Sequence, residues 1–284
     1  MSAETWTVTG PQTIELDGVL TVDAHVVDGR LDIVAHDEPV ARVEVHSVEG
    51  RPLEVRFDNG RLAIGHESGL SGWGSFMKRF ADFGGKARAD IHLAVPAGTA
   101  VRLGTVRGEG LLAGTTAGAS ASTVSGSLLV SRTAGVLKLN TVSGEVTVRD
   151  HVGDITSNTV SAEVVVSGSA DSVTSTAVSG DVTFDLVTQP RSVRVNTVSG
   201  HTLLRVPDER AVDVSVQSVS GRVTIGGLQF TGGGGAKVTG GGERSGRPGG
   251  MQLRVTGVSG DVTVIGAPQD APVDASEGHA PVEL

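Results

Sequence analysis

The chain of 284 residues contains no cysteine and no tyrosine, and its aromatic residues are two tryptophans and six phenylalanines. Without cysteine there is no disulfide, no thiolate metal site and no cysteine nucleophile. Lysine is scarce too: four residues, at 78, 86, 138 and 237, against nineteen arginines. The net charge of −9 provides no basic stripe of the kind that displaces counterions from phosphates, so no nucleic-acid partner is expected. No run approaches the roughly 20 apolar residues that a spanning helix needs. "MSAETWTVTGPQTIELDG" has no basic stretch followed by an apolar one, so a cytoplasmic setting is expected. The eight histidines are scattered, without HxH or HExxH spacing, and no Gly-x-Ser-x-Gly elbow occurs. Neither a metal, nor a cofactor, nor a serine nucleophile is therefore expected, and the chain reads as a non-enzyme.

What the chain has in excess is glycine, 41 residues, and a repeat. Val-Ser-Gly begins at Val124, Val142, Val178, Val198, Val219 and Val258, with degenerate copies at Val106 and Val160. The successive intervals from Val106 are 18, 18, 18, 18, 20, 21 and 39 residues. Within a copy the pattern has period two: Val142, Gly144, Val146 and Val148 fall on one face, Ser143, Glu145 and Thr147 on the other, as in a strand. No helical pattern separates the copies, which excludes βαβ units. A copy this short cannot bury its own apolar face, whereas stacked copies share a core. The expected fold is all-β: a single-domain, β-helix-like solenoid of about 18–21 residues per coil, its coils spaced by about 4.8 Å. Eight coils would then give a rod of roughly 35 Å. The motif glycine falls on the inward phase, where a side chain does not fit or the strand bends. Two positions before each valine stand Ser122, Asn140, Asn158, Thr176, Asn196, Gln217 and Thr256. Stacked at a corner, these would bond free backbone groups or form an amide ladder.

Residues 1–66 read as an N-terminal antiparallel β cap region. Asp28-Gly29 and Asn59-Gly60 both carry a tight-hairpin signal there, and a cap would cover the unpaired edge of the first coil. Residues 67–88 form an amphipathic aromatic segment in which Leu70, Trp73, Phe76, Met77, Phe80 and Phe83 recur at helical spacing. Four of the eight aromatic residues fall within those eleven positions from 73 to 83. Three uses remain open: an inert plug on the β core, a partner or self-association site, and membrane-surface docking through 70–83 aided by Lys78, Arg79, Lys86 and Arg88. Trp73, Phe76, Met77, Phe80 and Phe83 are the candidate contact residues. The solenoid repeats span 89–266 with a Gly-rich insertion at 226–250, read as a flexible surface loop. Residues 267–284 are Pro-rich and acidic and read as a disordered tail.

Glu145, Glu163 and Asp181 follow the motif in three consecutive copies. In register they would stack about 5 Å apart, near the separation used by retaining glycosidases and suited to Ca²⁺. The row continues with His201, Arg222 and Asp261, which breaks any such site; a solvated face is the simpler reading. A carbohydrate-active β-helix enzyme using Glu145, Glu163 and Asp181 is the alternative function. The discriminating feature is whether they line a groove or a flat face.

"ADIHLAVPAGTAVRLGTVRGEG" (89–110), followed by "TVSGSLLV", "TVSGEVTV", "AVSGDVTF" and "GVSGDVTV", resembles the bacterial β-strand-repeat domain of unknown function often labelled "putative adhesin". The resemblance covers roughly 89–266. It implies a repetitive all-β fold and a surface or scaffolding role, with a cell-surface location as the alternative to the cytoplasm. It implies no catalytic residues. Taken together, the expectation is a non-catalytic, adhesin-like binding or scaffolding solenoid whose partner is a protein, a second copy or a membrane surface.

Overall fold

A computed structural model describes residues 3–66, 87–231, 237–241 and 250–267. The fold is a two-sheet β-solenoid. Each sheet has thirteen strands, about 58 Å from first to last at the usual inter-strand spacing. Each coil places one strand in the first sheet and the next in the second. Thus Leu137–Thr141 lies in the first sheet, Glu145–Val152 in the second, and Ile155–Thr159 returns to the first. Neighbouring coils pair in parallel with the register set by the repeat: Leu139 opposes Ala121 and Ser157, and Val146 opposes Leu128 and Val164.

The alternation in each strand decides what is buried. Val146, Val148, Val164, Val166, Val182 and Phe184 point inward from the second sheet. Leu137, Leu139, Ile155, Val173, Val193 and Val195 meet them from the first, in one continuous core. β-branched residues suit such a pleated, one-sided surface.

The unbroken run of parallel strands in each sheet is ten, two more than the expected eight coils. The additional coils come from residues assigned by sequence to the cap. Thr21–Val26 pairs in parallel with Arg61–Gly65 and Ala100–Thr105, and Asp28–His36 pairs in parallel with Ala87–Pro96 and Glu109–Ala113. Asp28-Gly29 therefore makes no hairpin: it carries the chain from one sheet to the other. Gly29, at φ +101°, serves that corner with the same backbone freedom a hairpin would have used. Asn59-Gly60 does make the tight hairpin, between Leu53–Asp58 and Arg61–Gly65. Antiparallel strands then close this end, Glu4–Val8 on the first sheet and Gln12–Asp17 on the second.

At the other end the coil order departs from the sequence order. The last coil, Met251–Gly257 with Asp261–Gly266, lies between the coil Ser192–Val206 and the coil Val212–Ile225, parallel to both. The link between those two coils crosses it as a 3₁₀ turn, Glu209–Ala211, and a Glu209 carboxylate oxygen accepts from the Gly266 N–H at 2.7 Å. The described parts of the Gly-rich insertion are strands, not loop: Leu228–Thr231 and Lys237–Gly241 add antiparallel edges to the two sheets.

Candidate functional site

The Val-Ser-Gly corner is a structural device, and each of its residues has a separate task. The serine N–H donates to the valine carbonyl of the preceding coil, as in Ser143 to Val124 at 2.8 Å. Its hydroxyl donates to the same carbonyl at 3.1 Å. The glycine is required by close approach: a Cβ on Gly144 would lie 2.1 Å from the Gly126 carbonyl oxygen one coil back. The valine does not share the core face with Val146, as its phase suggested. The alternation is broken at the corner, so Val160, Val178, Val198, Val219 and Val258 are exposed along one edge of the rod.

The residues two positions before each valine stand in register on the outer face of the first sheet. Asn158 Nδ2 donates to Asn140 Oδ1 at 3.1 Å, Asn140 Nδ2 to Ser122 Oγ at 3.3 Å, and Asn196 Nδ2 to Thr176 Oγ1 at 3.5 Å. These side chains bond one another, making the amide–hydroxyl ladder.

The carboxylate row lies on the outer face of the second sheet. Glu145 and Glu163 are direct partners in the register, and Glu145, Glu163 and Asp181 are all exposed. Asp181 Oδ1 accepts from the His201 N–H at 2.9 Å, and Asp261 Oδ1 from the Arg222 N–H at 3.0 Å, so these aspartates brace the next coil. A shallow depression of about 440 Å³ is bordered by Arg30, Asp32, Glu109, Glu145 and Arg149, but not by Glu163 or Asp181. The three carboxylates thus share an open face and no groove. Among the described residues no three His, Asp or Glu side chains converge as a metal site requires.

A second depression was not anticipated from the sequence. On the outer face of the first sheet, near the N-terminal end, five neighbouring strands border a hollow of about 730 Å³. Its floor is made of small residues, Ala119, Ser120 and Ser122. Arg102 and Lys138 oppose Ser120 from either side in the register. Asp23 lies at the edge; Arg61 donates to its Oδ2 at 2.8 Å, and His25 Nδ1 stands 3.1 Å from its Oδ1. The His25 ring lies over Gly104, where a Cβ would come within 2.2 Å of it. Burial pushes the His25 pKa below the ordinary histidine value, against the pull of Asp23 and with the added push of Arg102. One signal for this hollow was available: Arg102, Ser120 and Lys138 each stand four positions before a motif valine.

The candidate contact residues Trp73, Phe76, Met77, Phe80 and Phe83, and Lys78, Arg79 and Lys86 beside them, lie outside the described residues. Arg88 is described; it stands exposed in the strand Ala87–Pro96. The points where the chain leaves and returns are clear. His66 follows a strand of the first sheet and Ala87 opens a strand of the second, and both are buried. The sequence between His66 and Ala87 is twenty residues long, whereas three residues separate Thr141 from Glu145 in a later coil.

Corners of this kind, two sheets and a single shared core define a repeat protein of the parallel β-solenoid class. The chain belongs to the Toastrack DUF4097 family, a domain of unknown function, which it matches over residues 59–265. No curated protein matches it. Solved structures similar to it include a putative lipid binding protein from Parabacteroides distasonis, 14% identical, with a TM-score of 0.46 over 91% of this chain and 95% of that one. A putative adhesin from Bacteroides fragilis is 12% identical, TM-score 0.38, over 93% and 96%. A putative cell adhesion protein from Clostridium sporogenes is 10% identical, TM-score 0.28, over 89% and 98%.

Proposed function

We propose that the chain is a non-catalytic binding or scaffolding module: a rigid rod that holds the segment 67–86 at one corner as its contact element. The observation that supports this reading is the length of sequence between His66 and Ala87. The coils on either side close their core with His66 and Ala87 buried, and twenty residues rich in aromatics stand where three suffice elsewhere. Chain length beyond what a corner needs, at the end of a stiff scaffold, suits a contact role. The residues proposed to make contact are Trp73, Phe76, Met77, Phe80 and Phe83, and the partner is a protein surface, a second copy or a membrane surface.

Hydrogen–deuterium exchange of 67–88, with and without lipid vesicles, together with the mass in solution, tests the reading. Fast exchange that slows on vesicles or on self-association supports it. Protection in a lone monomer makes the segment a core plug and removes it as a contact element. Co-sedimentation of a Phe76→Asp, Phe80→Asp variant separates the cases further, since unchanged vesicle binding discards membrane docking.

A further inference from the structure

We propose that the hollow on the first sheet, between Arg102 and Lys138, binds a phosphate group. This goes beyond the contact role of 67–86, uses only described residues and stands independently of it.

The chemistry begins with charge. The chain carries a net −9, yet the hollow is bordered by three cations, Arg61, Arg102 and Lys138, and a single carboxylate, Asp23. Asp23 Oδ2 is paired with Arg61, which leaves Arg102 and Lys138 as the two cations that Asp23 does not engage. Arg102 and Lys138 make no ion pair among the described residues. Some cations elsewhere on the rod are paired, Arg30 with Asp32, Arg42 with Glu15, Arg191 with Asp171 and Arg205 with Asp185, while others such as Arg194 and Arg254 are in no ion pair among the described residues.

Geometry adds the rest. Arg102 and Lys138 occupy strands on either side of the one that carries Ser120, so their backbones stand about 9–10 Å apart. Both side chains are long enough to converge over the serine between them. Ser120 Oγ has no hydrogen-bond partner among the described residues, and the Ser122 hydroxyl, which accepts from Asn140 at 3.3 Å, keeps its own proton to give. Small side chains on the floor leave room for a tetrahedral oxyanion. A planar guanidinium, an ammonium and hydroxyl donors around one open volume match a phosphate, for which charge-assisted hydrogen bonds are the strong ones. Exposed charge alone would not single out this place. Arg194 and Arg254 are neighbours on the same face, but they border a hollow of only about 160 Å³ that also contains Asp213.

The test uses the full chain and two phosphate sources. Isothermal titration with inorganic phosphate reads the free anion. Co-sedimentation with phosphatidylcholine vesicles, with and without phosphatidic acid, reads a lipid headgroup. The site variant is Arg102→Gln, Lys138→Gln, and the control on the same face is Arg194→Gln, Arg254→Gln, each checked by thermal melt for an intact fold. Binding of either source that weakens at least tenfold in the site variant and less than twofold in the control supports the proposal, and the arm that responds identifies the source. Equal weakening in both variants means diffuse surface charge and overturns it, as does absence of binding in both arms.

Discussion

Val146 is the position where burial can be tested most sharply. It is fully buried in the second sheet, opposite Leu128 on one neighbouring strand and Val164 on the other. Aspartate there loses the burial of a valine side chain, about 1.5–3 kcal/mol. The new carboxyl has no cation within the apolar stack, so it stays protonated at neutral pH. That requires its pKa to rise by about three units, at 1.36 kcal/mol each, for about 4 kcal/mol more. The total, about 5.5–7 kcal/mol, rivals the whole stability of an ordinary domain. In a solenoid the damage centres on the coils that touch the site, because each coil contacts only its neighbours. Thr147 is the internal control: it follows Val146 in the same strand and faces outward, half-buried. Urea denaturation followed by circular dichroism should show Val146→Asp with its transition lost or moved to far lower urea, and Thr147→Asp within about 0.5 kcal/mol of wild type. A Val146→Asp protein that melts within a degree of wild type would refute the inward assignment and, with it, the register of the second sheet.

Gly144→Ala should lower the melting temperature by several degrees, because the added methyl meets the Gly126 carbonyl; Gly98→Ala, with nothing within 4 Å of its Cβ, should leave it unchanged. Asn158→Ala should cost about 0.5–1.5 kcal/mol in urea titrations by removing a ladder bond, and adding Asn140→Ala should cost less than the sum of the single changes, as shared partners require. Acid should destabilise the fold. Burial lowers the pKa values of His25, His66 and His151, so below the unfolded value of about 6.5 the unfolded chain takes up protons that the folded chain resists. Stability should be complete above about pH 6.5 and fall as the pH drops toward the folded values. Melting temperatures from pH 7.5 to 5 test this, and a His151→Gln variant should show a shallower decline; an equal decline would clear His151.

The repeat was legible because a solenoid writes its geometry into every copy. An 18-residue interval with period two inside it leaves little choice but stacked coils; the spacing leaves the polar row either to bond free backbone groups or to form a ladder, and the side-chain hydrogen bonds decide for the ladder. The misreadings share a physical cause. Period two carried through Val142 predicts an inward side chain, but at the corner the chain is no longer a strand. Asp28-Gly29 looked like a hairpin because a positive φ serves a sheet-to-sheet corner just as well. Two coils were missed near the N-terminus, since Thr21–His36 and 61–96 lack the Val-Ser-Gly signature. The hollow beside Arg102 joins residues from Thr21 to Asn140, and only the register brings them together.

The two ends of the rod face one problem. A parallel stack that simply stopped would present an edge able to accept another coil of the same kind. Here the chain steps back at both ends. The coil Thr21–His36 lies inside the strands contributed by 61–96, and the coil 251–266 lies inside the one contributed by 212–225. The outermost strands then run antiparallel to their neighbours: Glu4–Val8 and Gln12–Asp17 at one end, Leu228–Thr231 and Lys237–Gly241 at the other. At the second end an incoming parallel coil finds reversed polarity; at the first, two successive antiparallel pairings restore the coil direction, and what it meets is a strand with exposed polar side chains such as Gln12, Glu15 and Asp17. Axial growth is thus opposed by strand direction at one end and by exposed polar side chains at the other.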